Sequence, residues 1–157
     1  MYLISHRGNV NGKNPDRENS PLYIKAALAL GYDVEVDVWY IDKEWWLGHD
    51  GPEHQVNVDF LKTRGLWCHA KSVEAAYEMW QKGHIHFFFH QTDDITLTSM
   101  NFLWTYPGKR PLTPGSIAVM PEDTDWTKDE LNNSAGICSD FIDRYNPELT
   151  EQEWLGF

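Results

Sequence analysis

The segment Val34-Glu35-Val36-Asp37-Val38 limits what this chain can become more than any other. Side chains alternate across a strand, so the valines turn to one face and the two carboxylates to the other. A strand at the surface would leave those carboxylates in water. Here the neighbouring segments are apolar, and an α/β fold covers both faces of its sheet. Carboxylates held side by side on a covered face repel each other unless a cation or protons compensate. A divalent metal is the economical counter-charge, because hard oxygen ligands at this spacing can share one ion.

Around that strand, short apolar runs alternate with helical patterns. Strands are predicted at Tyr2–Ser5, Asp33–Tyr40, Leu66–Ala70, Ile85–His90, Asn101–Thr105, Ser116–Met120 and Gly136–Ser139, with Trp45–Gly48 pairing back on the second strand around Asp42-Lys43. Ser20 and Pro21 open a helix whose apolar face is Leu22, Ala26, Ala29 and Leu30, closed by Gly31. Ser72 opens another, with Val73, Ala76, Tyr77 and Trp80 at helical spacing and Gly83 as its stop. Thr127 and Glu130 form a capping box. Strand–helix alternation favours a parallel α/β arrangement over a sandwich. With 157 residues there is room for one domain, residues 1–157, and under 20 residues for each unit of an eight-stranded barrel. The expected fold is therefore a trimmed (β/α)8 TIM-type barrel with reduced outer helices.

Charge and composition exclude several classes. A net charge of −11 would repel nucleic acid and anionic membrane surfaces, so neither is expected as a partner. No apolar run reaches the length of a membrane span, and Met1–Asn9 lacks the pattern of a secretory signal. Cys68 and Cys138 lie in apolar runs and read as buried free thiols of a reducing compartment. A cytoplasmic location is the expectation.

The remaining polar residues of interest fall at strand ends. His69 and Lys71 share a face of the third strand; His6-Arg7 follow the first, His90 the fourth and Asp140 the last, while His49 ends the hairpin. In parallel α/β folds the C-terminal ends of the strands converge on one mouth. Each residue alone has a structural explanation, and their shared placement makes the candidate site. His54, His84 and His86 read as structural, and Trp45-Trp46 and Phe87-Phe88-Phe89 as core and wall.

These residues come in a recognisable order. Ile4-Ser5-His6-Arg7-Gly8, Glu18-Asn19, Gly31-Tyr32-Asp33-Val34-Glu35-Val36-Asp37-Val38 and Leu47-Gly48-His49-Asp50 together resemble the glycerophosphodiester phosphodiesterase family, of the phosphatidylinositol-phospholipase-C-like superfamily. The resemblance covers about the first 70 residues, and Gly136-Ile137-Cys138-Ser139-Asp140 is similar to the family's closing strand. The segment from Ser72 to Asn133 is shorter than usual. The resemblance implies that His6 and His49 are the acid–base pair, that Arg7 and Lys71 bind the phosphate, and that Glu35 and Asp37 hold a divalent metal. The family's third strand normally reads Glu-x-Lys, and here it reads His69-Ala70-Lys71. An imidazole in place of the carboxylate moves the expected ion from Mg²⁺ or Ca²⁺ toward Mn²⁺ or Zn²⁺; Mg²⁺ stays compatible with a His69 that does not touch the ion.

Phosphodiester cleavage needs its nonbridging charge neutralised, a nucleophile deprotonated and a leaving alkoxide protonated. The expected activity is metal-dependent hydrolysis of a glycerophosphodiester-like small molecule in lipid metabolism. His6 is assigned as base and His49 as acid, with the reverse order open. Two alternatives stand beside it: a phospholipase-D-like lyase that stops at a cyclic phosphate, and a non-catalytic phosphate- or metal-binding module. His90, Trp104 and Asp140 are candidates for the substrate pocket, and Tyr106 for the alcohol-binding side or the core.

Overall fold

The computed structural model describes residues 1–147. Its strands are β1 (Tyr2–His6), β2 (Asp33–Ile41), β3 (Glu44–Leu47), β4 (His54–Val56), β5 (Leu66–Ala70), β6 (Phe87–Phe89), β7 (Ile95–Leu97), β8 (Leu103–Thr105), β9 (Ser116–Val119) and β10 (Gly136–Ser139). The helices are α1 (Pro21–Ala29), α2 (Val58–Leu61), α3 (Val73–Lys82) and α4 (Lys128–Asn132). Parallel pairing runs β6-β5-β2-β1-β10-β9-β8. β7 joins β8 antiparallel, and β3 and β4 extend the outer half of β2 in the same sense.

This overturns the expected trimmed (β/α)8 barrel. The chain forms a curled mixed sheet with few helices, and three of its strands run antiparallel to their neighbours. α1 and α3 have 9 and 10 residues, α2 and α4 only 4 and 5. A complete parallel β–α–β unit takes about 30 residues or more. From Phe87 to Val119 the chain lays down four strands with no helix between them, so a ring of covering helices cannot form. β6 and β7 share no ladder; Ser99 N–H donates to the Phe87 carbonyl at 2.8 Å and the Thr96 hydroxyl to that of Phe89 at 3.0 Å.

The alternation along β2 has the predicted parity. Val34, Val36 and Val38 enter the outer core beneath α1 and α3 with Ile24, Ala27, Ala75 and Met79. Glu35 and Asp37 point inside the curl, 2% and 0% exposed. The register pairs Glu35 with Trp67 and Asp37 with His69, so β5 turns the same way. Below these polar groups the inside of the curl is filled by Ile4, Trp67, Phe88, Trp104, Ile117 and Cys138.

Both longer helices bury a different stripe from the expected one. In α1 the buried residues are Ile24 and Ala27, while Leu22 and Leu30 are 79% and 65% exposed. In α3 they are Ala75 and Met79, with Val73, Tyr77 and Trp80 outward. Each helix carries apolar side chains on more than one face, so periodicity alone could not choose. The Ser72 hydroxyl caps α3 by accepting from Ala75 N–H (3.1 Å), whereas the Ser20 side chain makes no cap bond. The capping box of Thr127 and Glu130 is present. Among the described residues no helix is long and apolar enough to cross a membrane.

Candidate active site at the mouth of the curled sheet

The C-terminal ends of the parallel strands open into a cavity of about 630 Å³. His6, Arg7, Glu35, His49, His69 and Lys71 all line it. β2 supplies the two carboxylates, β5 carries His69 and leads into Lys71, and β1 ends in His6. On the edge of β2 away from β5, the stretch between the β1 and β3 ladders has no strand beside it. Arg7 N–H donates to the Glu35 carbonyl (3.0 Å), the Asn19 side chain accepts from Asp37 N–H (2.9 Å), and Gly48 N–H donates to the Asp37 carbonyl (3.2 Å). The loop from β1 to α1 thus completes the sheet edge with single groups. It does so in left-handed backbone at Arg7 (φ 55°) and Asn19 (φ 60°), with Gly8 (φ 93°) close against the Tyr23 ring.

His6 is oriented from behind. Its Nδ1 lies 2.7 Å from Asp140 Oδ1, so an Nδ1–H donated to that carboxylate leaves the Nε2 lone pair on the cavity side, 3.8 Å from Glu35. Burial alone would lower the His6 pKa, but the Asp140 bond and the Glu35 charge outweigh it and raise the value. Asp140 is fully buried and also accepts from Asn9 Nδ2 at 2.9 Å. Burial pushes its carboxyl upward, yet the bond from His6 holds it below the ordinary range. Asp140 therefore stands behind His6 and does not line the cavity, the substrate-pocket position expected for it from the sequence.

Asp37 is the hub. Arg7 Nε stands 3.0 Å from its Oδ2, Lys71 Nζ 3.2 Å and His69 Nδ1 3.3 Å from its Oδ1, and Asn19 Nδ2 donates at 2.9 Å. Burial opposes its ionisation, but the His69 bond and the Arg7 and Lys71 charges depress its pKa far below the usual range. Glu35 has the opposite fate. Burial first, then the Asp37 charge, raise its pKa against the pull of His6, Arg7 and His69. Asp37 has its counter-charges and Glu35 is short of one.

A metal fits that imbalance. Glu35, Asp37 and His69 each offer a ligand atom, all within 4.8 Å of one another. Glu35 Oε2 is buried without a hydrogen-bond partner, and two carboxylates with one imidazole are a donor set for Mn²⁺, Zn²⁺ or Mg²⁺.

The chain matches no family model, no curated protein and no solved structure. Chemistry must therefore be read from these side chains themselves.

His49 sits at the outer rim, its side chain 44% exposed and its Nδ1 2.7 Å from Asp50. The strand-end loop that carries it is held by Trp39 Nε1, which donates to the Gly48 carbonyl at 2.7 Å. His90 also lines the cavity, its ring stacked on His69 at 4.9 Å and tilted against Tyr106 at 3.9 Å between centroids. Burial, then the His69 and Lys71 charges, lower its pKa to about 4, so it is neutral near pH 7. Trp104, 2% exposed, closes the cavity floor. Sequence reasoning gave no role to Asn9, Asn19 or Glu122. Glu122 accepts from the Ser139 hydroxyl (2.8 Å) and Asp140 N–H (3.2 Å), fixing the residue that fixes His6. Asn19 carried a local signal, since Asn tolerates left-handed backbone; Glu122 carried none.

Proposed function

We propose that this protein is a metal-dependent phosphodiesterase acting on a small glycerophosphodiester-like substrate through paired histidines. The reading rests on one observation above the others: the imidazoles of His6 and His49, the Arg7 guanidinium, the Lys71 ammonium, and Glu35 and His69 line a single cavity, with Asp37 buried beside Glu35 and His69 in the same cluster. A divalent ion held by Glu35, Asp37 and His69 would supply charge neutralisation for a nonbridging phosphate oxygen. Arg7 and Lys71 flank that cluster and present N–H donors to the other phosphate oxygens. His6 Nε2 takes the proton of the attacking hydroxyl, from water or from the substrate itself. Asp140 keeps the ring in the tautomer that leaves Nε2 free and stabilises the imidazolium as it forms. His49 at the rim protonates the leaving alkoxide. The volume of about 630 Å³ suits a small molecule.

The deciding experiment is turnover of glycerophosphocholine and glycerophosphoglycerol with and without Mn²⁺ or Mg²⁺, with the phosphorus products identified. Metal-dependent release of a phosphomonoester supports hydrolysis, and a cyclic phosphate as end product supports the lyase. Tight metal or phosphate binding with no turnover on either substrate overturns the enzyme reading.

His69 sets a second expectation. Its Nδ1 lies 3.8 Å from Glu35 and 3.3 Å from Asp37, within the cluster. Replacing imidazole by a hard oxygen ligand, His69→Glu, should shift the activity ratio toward Mg²⁺ or Ca²⁺ relative to Mn²⁺ by about tenfold, which is ~1.4 kcal/mol of altered preference. An unchanged ratio across the three ions removes His69 from the ligand set.

A further inference from the structure

Away from the strand mouth, a groove of about 860 Å³ lies between the β2–β3–β4 extension and helices α1, α2 and the end of α3. Lys25 of α1, Lys43 of the β2–β3 turn and Lys82 in the last turn of α3 line it. Lys13, Lys62, Lys71 and Lys109 each stand within 4.0 Å of a carboxylate, whereas these three have none at that distance among the described residues. The single carboxylate lining the groove, Glu44, accepts a hydrogen bond from Gln55 Nε2 at 3.1 Å. In a chain of net charge −11, three ammonium groups against one carboxylate give this hollow a net positive lining.

Between the charged groups the walls carry aromatic and aliphatic side chains. The half-buried Tyr40 ring rests on the core residue Trp45 at 4.6 Å between centroids, and Phe60, Val56 and Val58 continue the surface. Asp42 and Lys43 both have positive φ (52° and 68°), the backbone of a tight two-residue hairpin turn, so Lys43 sits on a fixed tip. Small-molecule pockets of about 300–1,000 Å³ combine apolar walls with a few placed charges, and aromatic walls favour planar ligands. We infer that this groove binds a small aromatic anion, its ring against Tyr40 and its acid group among Lys25, Lys43 and Lys82. The site is separate from the strand mouth and does not depend on the phosphodiesterase reading.

Calorimetric titration of the full chain with 2-naphthoate tests it. Saturable one-to-one binding is expected, weakening as salt rises and falling about tenfold or more in K25Q/K43Q/K82Q. The neutral 2-naphthalenemethanol should bind about tenfold more weakly than the acid. The Lys71→Met variant should bind 2-naphthoate as the wild type does. Absence of saturable binding, equal affinity in the triple variant, or loss of binding in Lys71→Met (which would put the ligand in the strand mouth) overturns the assignment. Should circular dichroism show the triple variant unfolded, Lys43→Glu at the exposed turn decides, and unchanged affinity there is equally fatal.

Discussion

His49→Ala is expected to lose about 10²–10⁴-fold in kcat on a glycerophosphodiester while keeping most of its activity on bis-p-nitrophenyl phosphate. An alkoxide leaves poorly without a proton, whereas p-nitrophenolate needs none, so removing the acid hurts only the first substrate. His6→Ala should lose both substrates by that same range, because a base is needed whatever leaves. Steady-state rates of the two variants on the two substrates give the comparison. Equal losses everywhere would refute the division of labour, and full activity in either variant would remove that histidine from the mechanism. The pH profile adds a second readout. Activity carried by a neutral His6 rises as pH passes the pKa of that ring, which the Asp140 bond and Glu35 charge hold above the ordinary imidazole value despite burial. Asp140→Asn should move the acidic limb to lower pH and reduce kcat, since it removes both the charge and the tautomer control.

The two carboxylates of β2 should respond to neutralisation with opposite signs in metal-free protein. Asp37→Asn strips the counter-charge from Arg7 and Lys71, and removing one partner of a buried ion pair costs ~3–5 kcal/mol. Glu35→Gln relieves a buried charge beside Asp37 and should stabilise the metal-free protein, because burial and the Asp37 charge both disfavour the ionised carboxylate. Thermal unfolding in chelator measures both. The pH dependence follows from the same shifts. Asp37 binds protons less readily folded than unfolded, so its contribution is present above the unfolded value near 3.9 and fades as pH falls below it. Glu35 binds them more readily folded, so native stability falls as pH rises from about 4.3 through its raised value, and Glu35→Gln should flatten that decline. Both variants should lose tight Mn²⁺ binding by calorimetry, because each removes an anionic oxygen ligand. Unchanged Mn²⁺ affinity in both would end the metal-site reading, and a destabilised Glu35→Gln would show that its charge is already balanced without a metal.

Much of the site was legible because it is written in alternation. The parity of Glu35 with Asp37 and of His69 with Lys71 follows from strand geometry, and the observed register places the two pairs on one inner face. The hairpin around Asp42-Lys43 was equally local, a two-residue turn with both φ values positive. The strands β4 and β7 were not legible, each being three residues long with no alternation to read.

Alone, the sequence determined which residues share a strand face and where His6, Arg7, His49, His69 and Lys71 punctuate the strands, since period-two geometry is a property of neighbours in the chain. Only the tertiary structure decided that the sheet curls without a covering ring of helices, and that α1 buries Ile24 and Ala27 while Leu22 faces solvent. It also decided that Asp140 stands behind His6, a contact spanning 134 positions, and that Asn19, 18 positions from Asp37, closes the edge of β2. These depend on which distant surfaces meet, and local periodicity carries no information about the partner on the other side of a contact.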